Sequence, residues 1–132
     1  MSHSRSRARW TPQAVAVVLA LCIERAVCVV YAHPSISSFA AAVHRHIVEG
    51  LAARGHRVDD LVLYAEQFQP ALTLVERDVR YEVGANLAGV DRYVERLRAA
   101  EALVLWFSTW WCGILKRWFD RARPPGVPFI IR

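Results

Sequence analysis

The chain has 132 residues, 55% hydrophobic and 22% charged, which suits one globular domain and excludes a disordered or low-complexity protein. Its formal net charge is +5, but the basic excess sits at the ends: four basic residues against one acidic in 1–25, five against one in 116–132, and eight against ten in between. A continuous basic face able to track phosphates is therefore not expected, and neither is nucleic-acid binding.

Residues 1–10 are basic and polar, and Thr11-Pro12 reads as an N-cap followed by proline at the first helical position. The apolar run 14–23 is shorter than the roughly 20 residues that a membrane-spanning helix needs, so no stable span is expected. A basic flank before a short apolar run also resembles a secretory signal. The small residues suited to cleavage, however, fall at or inside the next apolar run. Residues 1–25 are therefore assigned to an N-terminal extension, with a targeting segment as the alternative, and 26–132 to the folded domain.

Residues 26–32 (AVCVVYA) form a continuous apolar, β-branched run, the pattern of a strand buried on both faces. Cys28 within it reads as a small buried hydrophobe. With Cys22 and Cys112 it makes an odd set without metal-ligand spacing, which fits a reducing cytosol better than a disulfide framework. His33-Pro34 ends the strand, and 35–38 form a polar turn able to cap a helix. Phe39, Val43, Ile47 and Leu51 recur every four residues, which predicts a helix with that stripe buried, stopped by Gly55 at the C′ position. A second strand is expected over 58–63, more polar (Asp59, Asp60) and so nearer a sheet edge. Residues 64–88 read as irregular, with a helical turn around 74–82. Val90, Tyr93, Val94, Leu97 and Ala100 mark a further amphipathic helix, and 102–107 a third, wholly apolar strand. Ile114, Leu115, Trp118 and Phe119 lie on a last helix ended by Pro124-Pro125-Gly126.

The order β-α-β-α-β-α implies an α/β fold with a parallel sheet and right-handed crossovers. In strand order 2-1-3 the first and third strands are neighbours whose following helices lie on opposite faces. That junction is the switch point where open α/β sheets bind ligands, so 33–39 and 108–113 are expected to meet.

The residues on and around these loops resemble a known family, the flavodoxin-like NAD(P)H:quinone oxidoreductases. The resemblance rests on Tyr31-Ala32-His33-Pro34 with Ser37-Ser38-Phe39, on Gly55-His56 with Val58, on Leu63-Tyr64-Ala65-Glu66 and on Phe68-Gln69-Pro70. It continues in Ala99-Ala100-Glu101-Ala102-Leu103-Val104, in Trp110-Trp111-Cys112-Gly113 and in Ile114-Leu115-Lys116-Arg117-Trp118-Phe119-Asp120-Arg121, covering about 26–129. It implies a flavodoxin-like three-layer α/β/α architecture and two-electron transfer from NAD(P)H to a quinone through FAD, or through FMN. It assigns His33, Ser38 and Phe39 to the flavin and its phosphates, and Ser108, Thr109, Trp110, Trp111 and Cys112 to a cradle for the isoalloxazine. A homodimer and a cytoplasmic setting go with it.

Elementary chemistry agrees: a helix N-terminus favours a phosphate, and paired tryptophans offer flat apolar surface to a tricyclic ring. Each residue also has a plainer role, His33 as a turn residue, Ser37 and Ser38 as helix caps, Trp110 and Trp111 as core or interface aromatics. Three features depart from the family. Gly113 runs directly into Ile114-Leu115-Lys116 without the usual proline-containing segment, Arg117 and Ser108 stand where glycine and proline are usual, and the family's pattern continues past Arg132. The continuation holds further strands, a glycine-rich flavin loop, and the tyrosine and histidine credited with hydride chemistry. The chain is thus expected to carry the N-terminal part, with an apolar third-strand edge open to association. The alternative function is a non-catalytic remnant acting as a flavin- or partner-binding regulatory module.

Overall fold

The computed structural model describes residues 23–107 and 113–126. The elements are β1 (Ala26–Ala32), α1 (Phe39–Ala53), β2 (Arg57–Val62), α2 (Leu74–Asp78), a 3-10 turn (Ala85–Leu87), α3 (Asp91–Ala99), β3 (Ala102–Phe107) and α4 (Gly113–Ala122). The three strands form one parallel sheet in the order β2-β1-β3. Val29 of β1 faces Asp60 on one side and Val104 on the other, and the β1–β3 register runs from Val27 opposite Ala102 to Ala32 opposite Phe107. The polar second strand is an edge, as its aspartates imply.

Alternation along β1 divides its side chains between two layers. Cys28, Val30 and Ala32 point into the main core with Leu61, Leu63, Phe68, Val90, Tyr93, Val94, Leu115, Trp118 and Ala122. Leu103, Leu105 and Phe107 of β3 pack on the same cluster. Helices α3 and α4 therefore cover this face, and Tyr93, Leu115 and Trp118 are almost fully buried there. Burial pushes the Cys28 thiol up to about 12. On the opposite face Tyr31 stacks on His44 of α1, their rings 4.1 Å apart and nearly parallel at 6°.

Helix α1 starts and stops as its sequence dictates. The Ser38 side chain caps it by accepting from the Ala41 N–H at 3.1 Å. At its far end the Gly55 N–H donates to Ala52 O and the His56 N–H to Leu51 O, a Schellman closure that needs the left-handed φ of +82° at Gly55. The expected stripe is wrong at one position: Val43, Ile47 and Leu51 are half-buried, but Phe39 is 83% exposed and Ala40 is the buried residue of the first turn. Four-residue steps overshoot a helical turn and drift around the axis. Phe39 consequently lies about 90° from the centre of a face made by Ala40, Val43, His44, Ile47 and Leu51.

Residues 64–88 are more ordered than their composition suggests. Thr73 and Glu76 form a reciprocal capping box at α2, with Glu76 N–H to Thr73 Oγ1 at 3.2 Å and Thr73 N–H to Glu76 Oε2 at 2.7 Å. The buried Arg121 guanidinium then pins the segment to α4 by donating to the carbonyls of Gln69 and Ala71 and pairing with Glu76. Burial acts to raise the Glu76 pKa, but the Thr73 hydrogen bonds and Arg121 outweigh it and hold the carboxyl below its usual range.

Candidate functional site

Because β1 and β3 pair up to Ala32 and Phe107, their carboxyl ends open side by side. The helix that follows β1 lies on one face of the sheet and the helix that follows β3 on the other. This is a topological switch point, the crevice where open α/β sheets take ligands. A second link spans the same end: the Trp106 indole Nε1–H donates to Ala40 O at 2.8 Å, tying β3 to the first turn of α1.

The turn between β1 and α1 is a closed polar knot. The Ser35 N–H donates to His33 Nδ1 at 3.1 Å, and Ser38 Oγ lies 3.2 Å from the same nitrogen and from Ser35 O. His33 Nδ1 also lies 3.2 Å from Ser35 O, so the ring is held by the turn through this one nitrogen. Ser38 is thereby committed to the cap and to His33, the plainer of its two roles. The backbone N–H groups of Phe39 and Ala40 have no acceptor among the described residues. They are the free donors of a helix N-terminus, with the positive end of the helix dipole behind them. Ile36 and Phe39 project almost wholly into solvent beside them, at 95% and 83% exposure.

The structure thus gathers His33, Ser38 and Phe39 at one strand end. Ser108, Thr109, Trp110, Trp111 and Cys112 lie outside the described residues. Three-layer packing needs a polar seam that the sequence does not announce. His44 Nε2 meets Asp60 Oδ1 at 2.8 Å beneath the Tyr31 ring, whose hydroxyl is buried and unpartnered among the described residues. On the other face Arg96 forks onto Asp59 at 2.6 to 3.1 Å and reaches Glu66 at 2.5 Å. The Asp59 hydrogen bonds raise the guanidinium pKa above its ordinary value, with burial acting the other way. Among the described residues no cluster of three or more His, Cys, Asp or Glu side chains could hold a metal ion, and no helix is long and apolar enough to cross a membrane.

Known proteins with this arrangement are similar over nearly the whole described region. Residues 25–129 match a family described as having a flavodoxin-like fold. NAD(P)H dehydrogenase (quinone) 1 of Rattus norvegicus is 28% identical over 120 residues, covering 76% of this chain and 44% of the rat protein. The ribosyldihydronicotinamide dehydrogenase-like protein traD of Penicillium crustosum is 29% identical over 115 residues, covering 72% of this chain and 42% of its own. Among solved structures, the NAD(P)H:quinone oxidoreductase from Methanothermobacter marburgensis superposes with a TM-score of 0.70 at 34% identity, over 79% of this chain and 56% of that one. The chain spans about half the length of these relatives.

Proposed function

The chain belongs to the flavodoxin-like fold family, matched over residues 25–129, and from that membership we propose that it is the flavin-cradling part of an NAD(P)H:quinone oxidoreductase. The observation that carries this reading is the side-by-side opening of β1 and β3, with unpaired helix N–H groups and the His33 imidazole at the same end. The names of the rat and Methanothermobacter relatives support the reaction class. FAD is the favoured flavin, with FMN as the smaller alternative. When bound it supplies the hydride relay between NAD(P)H and the quinone.

The protein's part is binding and orientation. The His33 imidazole and the Phe39 and Ala40 N–H groups would hold phosphate oxygens, the ring already fixed in place by the Ser35 and Ser38 hydrogen bonds. Ser38 serves the site by holding His33 and capping α1, and the exposed Phe39 ring offers apolar surface to the cofactor. Ser108, Thr109, Trp110, Trp111 and Cys112 are assigned to the isoalloxazine. The reading also takes the protein as cytoplasmic and as a homodimer, with β3 presenting an edge that has no strand partner beyond β1 among the described residues.

The test uses the purified full chain. Titration into FAD should quench flavin fluorescence saturably, and His33→Ala should weaken binding about tenfold, the worth of one charge-assisted hydrogen bond. NAD(P)H-dependent reduction of menadione should accompany binding. Flavin bound without turnover would select the binding-module alternative, and failure to bind either flavin would end the proposal.

A further inference from the structure

The segment after β2 and the first turns of α4 enclose an open cleft of about 460 Å3. That is room enough for a fused ring system, since small-molecule sites usually measure roughly 300–1,000 Å3. Its walls are apolar, made by Pro70, Ala71 and Leu72 on one side and Gly113 and Ile114 on the other. The wall at 70–72 is held in place, because the buried Arg121 donates to the carbonyls of Gln69 and Ala71 behind it. In sequence Gly113 directly follows residues 108–112, the segment assigned to the flavin ring.

Arg117 supplies the single formal charge of this lining among the described residues. The cations on either side of it are neutralised: Lys116 pairs with Asp120 at 2.7 Å, and Arg121 pairs with Glu76. Arg117 is exposed and makes no hydrogen bond or ion pair among the described residues. An apolar groove bordered by one unbalanced guanidinium is complementary to an apolar body with one acid group, a fused ring system being one that fits its volume, and the planar fork of arginine suits a carboxylate.

We propose that this cleft binds a flat ring system bearing a carboxylate, for which an aromatic carboxylate is the redox-inert probe, and that the acceptor in the proposed reaction is a quinone carrying such an acid group, its two carbonyls reduced to hydroxyls by the hydride and a proton. The second clause rests on the flavin reading; the first stands on the cleft alone.

The experiment measures calorimetric binding of 2-naphthoate and of its neutral counterpart 2-naphthamide to the full chain, without flavin or NAD(P)H. Naphthoate should bind about tenfold more tightly, the scale of one charge-assisted hydrogen bond, and added salt should narrow the gap. Arg117→Gln should remove the preference while leaving naphthamide binding unchanged, and Arg117→Lys should keep part of it. The unfolding midpoint of each variant should match the parent, because Arg117 has no partner to lose among the described residues. Equal affinities in the parent chain, a preference that survives Arg117→Gln, or no binding of either compound overturns the proposal. FAD titration of the same preparation is read separately, so loss of the flavin reading leaves naphthoate selectivity intact and loss of the cleft leaves flavin binding intact.

Discussion

The two faces of the sheet are built differently. Toward α3 and α4 the contacts are apolar and closely packed: Tyr93, Leu115 and Trp118 are sealed, and Phe68 meets Tyr93 edge-on at 5.3 Å between ring centres. Toward α1 the layer is more polar. Ala40 is the buried residue of that helix, and the seam runs through Tyr31, His44 and Asp60. The main apolar cluster thus lies on one side, while the helix that begins at the proposed phosphate donors rests on the other. A ligand-bearing element outside the main apolar cluster can adjust without disturbing it, which is the usual division between binding regions and scaffold.

The contrast can be broken or sharpened by substitution, with urea midpoints as the measure. Trp118→Ala should cost about 3 to 5 kcal/mol, the loss expected for a buried indole, and should leave the chain largely unfolded. Arg121→Met should cost about 3 kcal/mol, because it strands the Glu76 carboxylate and frees the Gln69 and Ala71 carbonyls. Lowering the pH tests the same pair. The folded-state pKa of Glu76 is depressed, so its contribution is fully present above the unfolded value, about 4.3, and is lost as pH falls through the lower folded value. Glu76→Gln should flatten that part of the acid limb. On the softer face His44→Ala should cost only about 1 kcal/mol, the worth of one stacked ring and one partly exposed hydrogen bond. A cost as large as that of Trp118→Ala would erase the distinction between faces. The smallest effect is on Cys28: mass-mapped alkylation should leave it unmodified in the folded chain and label it in urea, since the thiol is buried and its pKa raised to about 12.

Strand order, the edge position of β2 and the caps of α1 were legible because they follow from local composition and chain order. The stripe through Phe39 misled because equal spacing in sequence is not equal direction on a helix. The polar seams were not legible at all. His44 and Asp60 are 16 residues apart, Arg96 and Asp59 are 37 apart, and Trp106 and Ala40 are 66 apart. No spacing rule connects such pairs; the sheet brings them together. Residues 64–88 looked irregular because the side chain that orders them, Arg121, belongs to the last helix. At the candidate site the turn at 33–39 could be read from its serines and histidine. The commitment of Ser38 to His33 emerged only once the turn closed on itself.

The central placement of β1 has a consequence for isotope exchange with solvent. Its amides point alternately to a neighbour on the left and a neighbour on the right, so each is shielded by another strand. Half the amides of the outer two strands turn away from the sheet. Deuterium should therefore enter from both flanks and reach β1 last, and the rate at Val29 and Val30 would report complete opening of the domain.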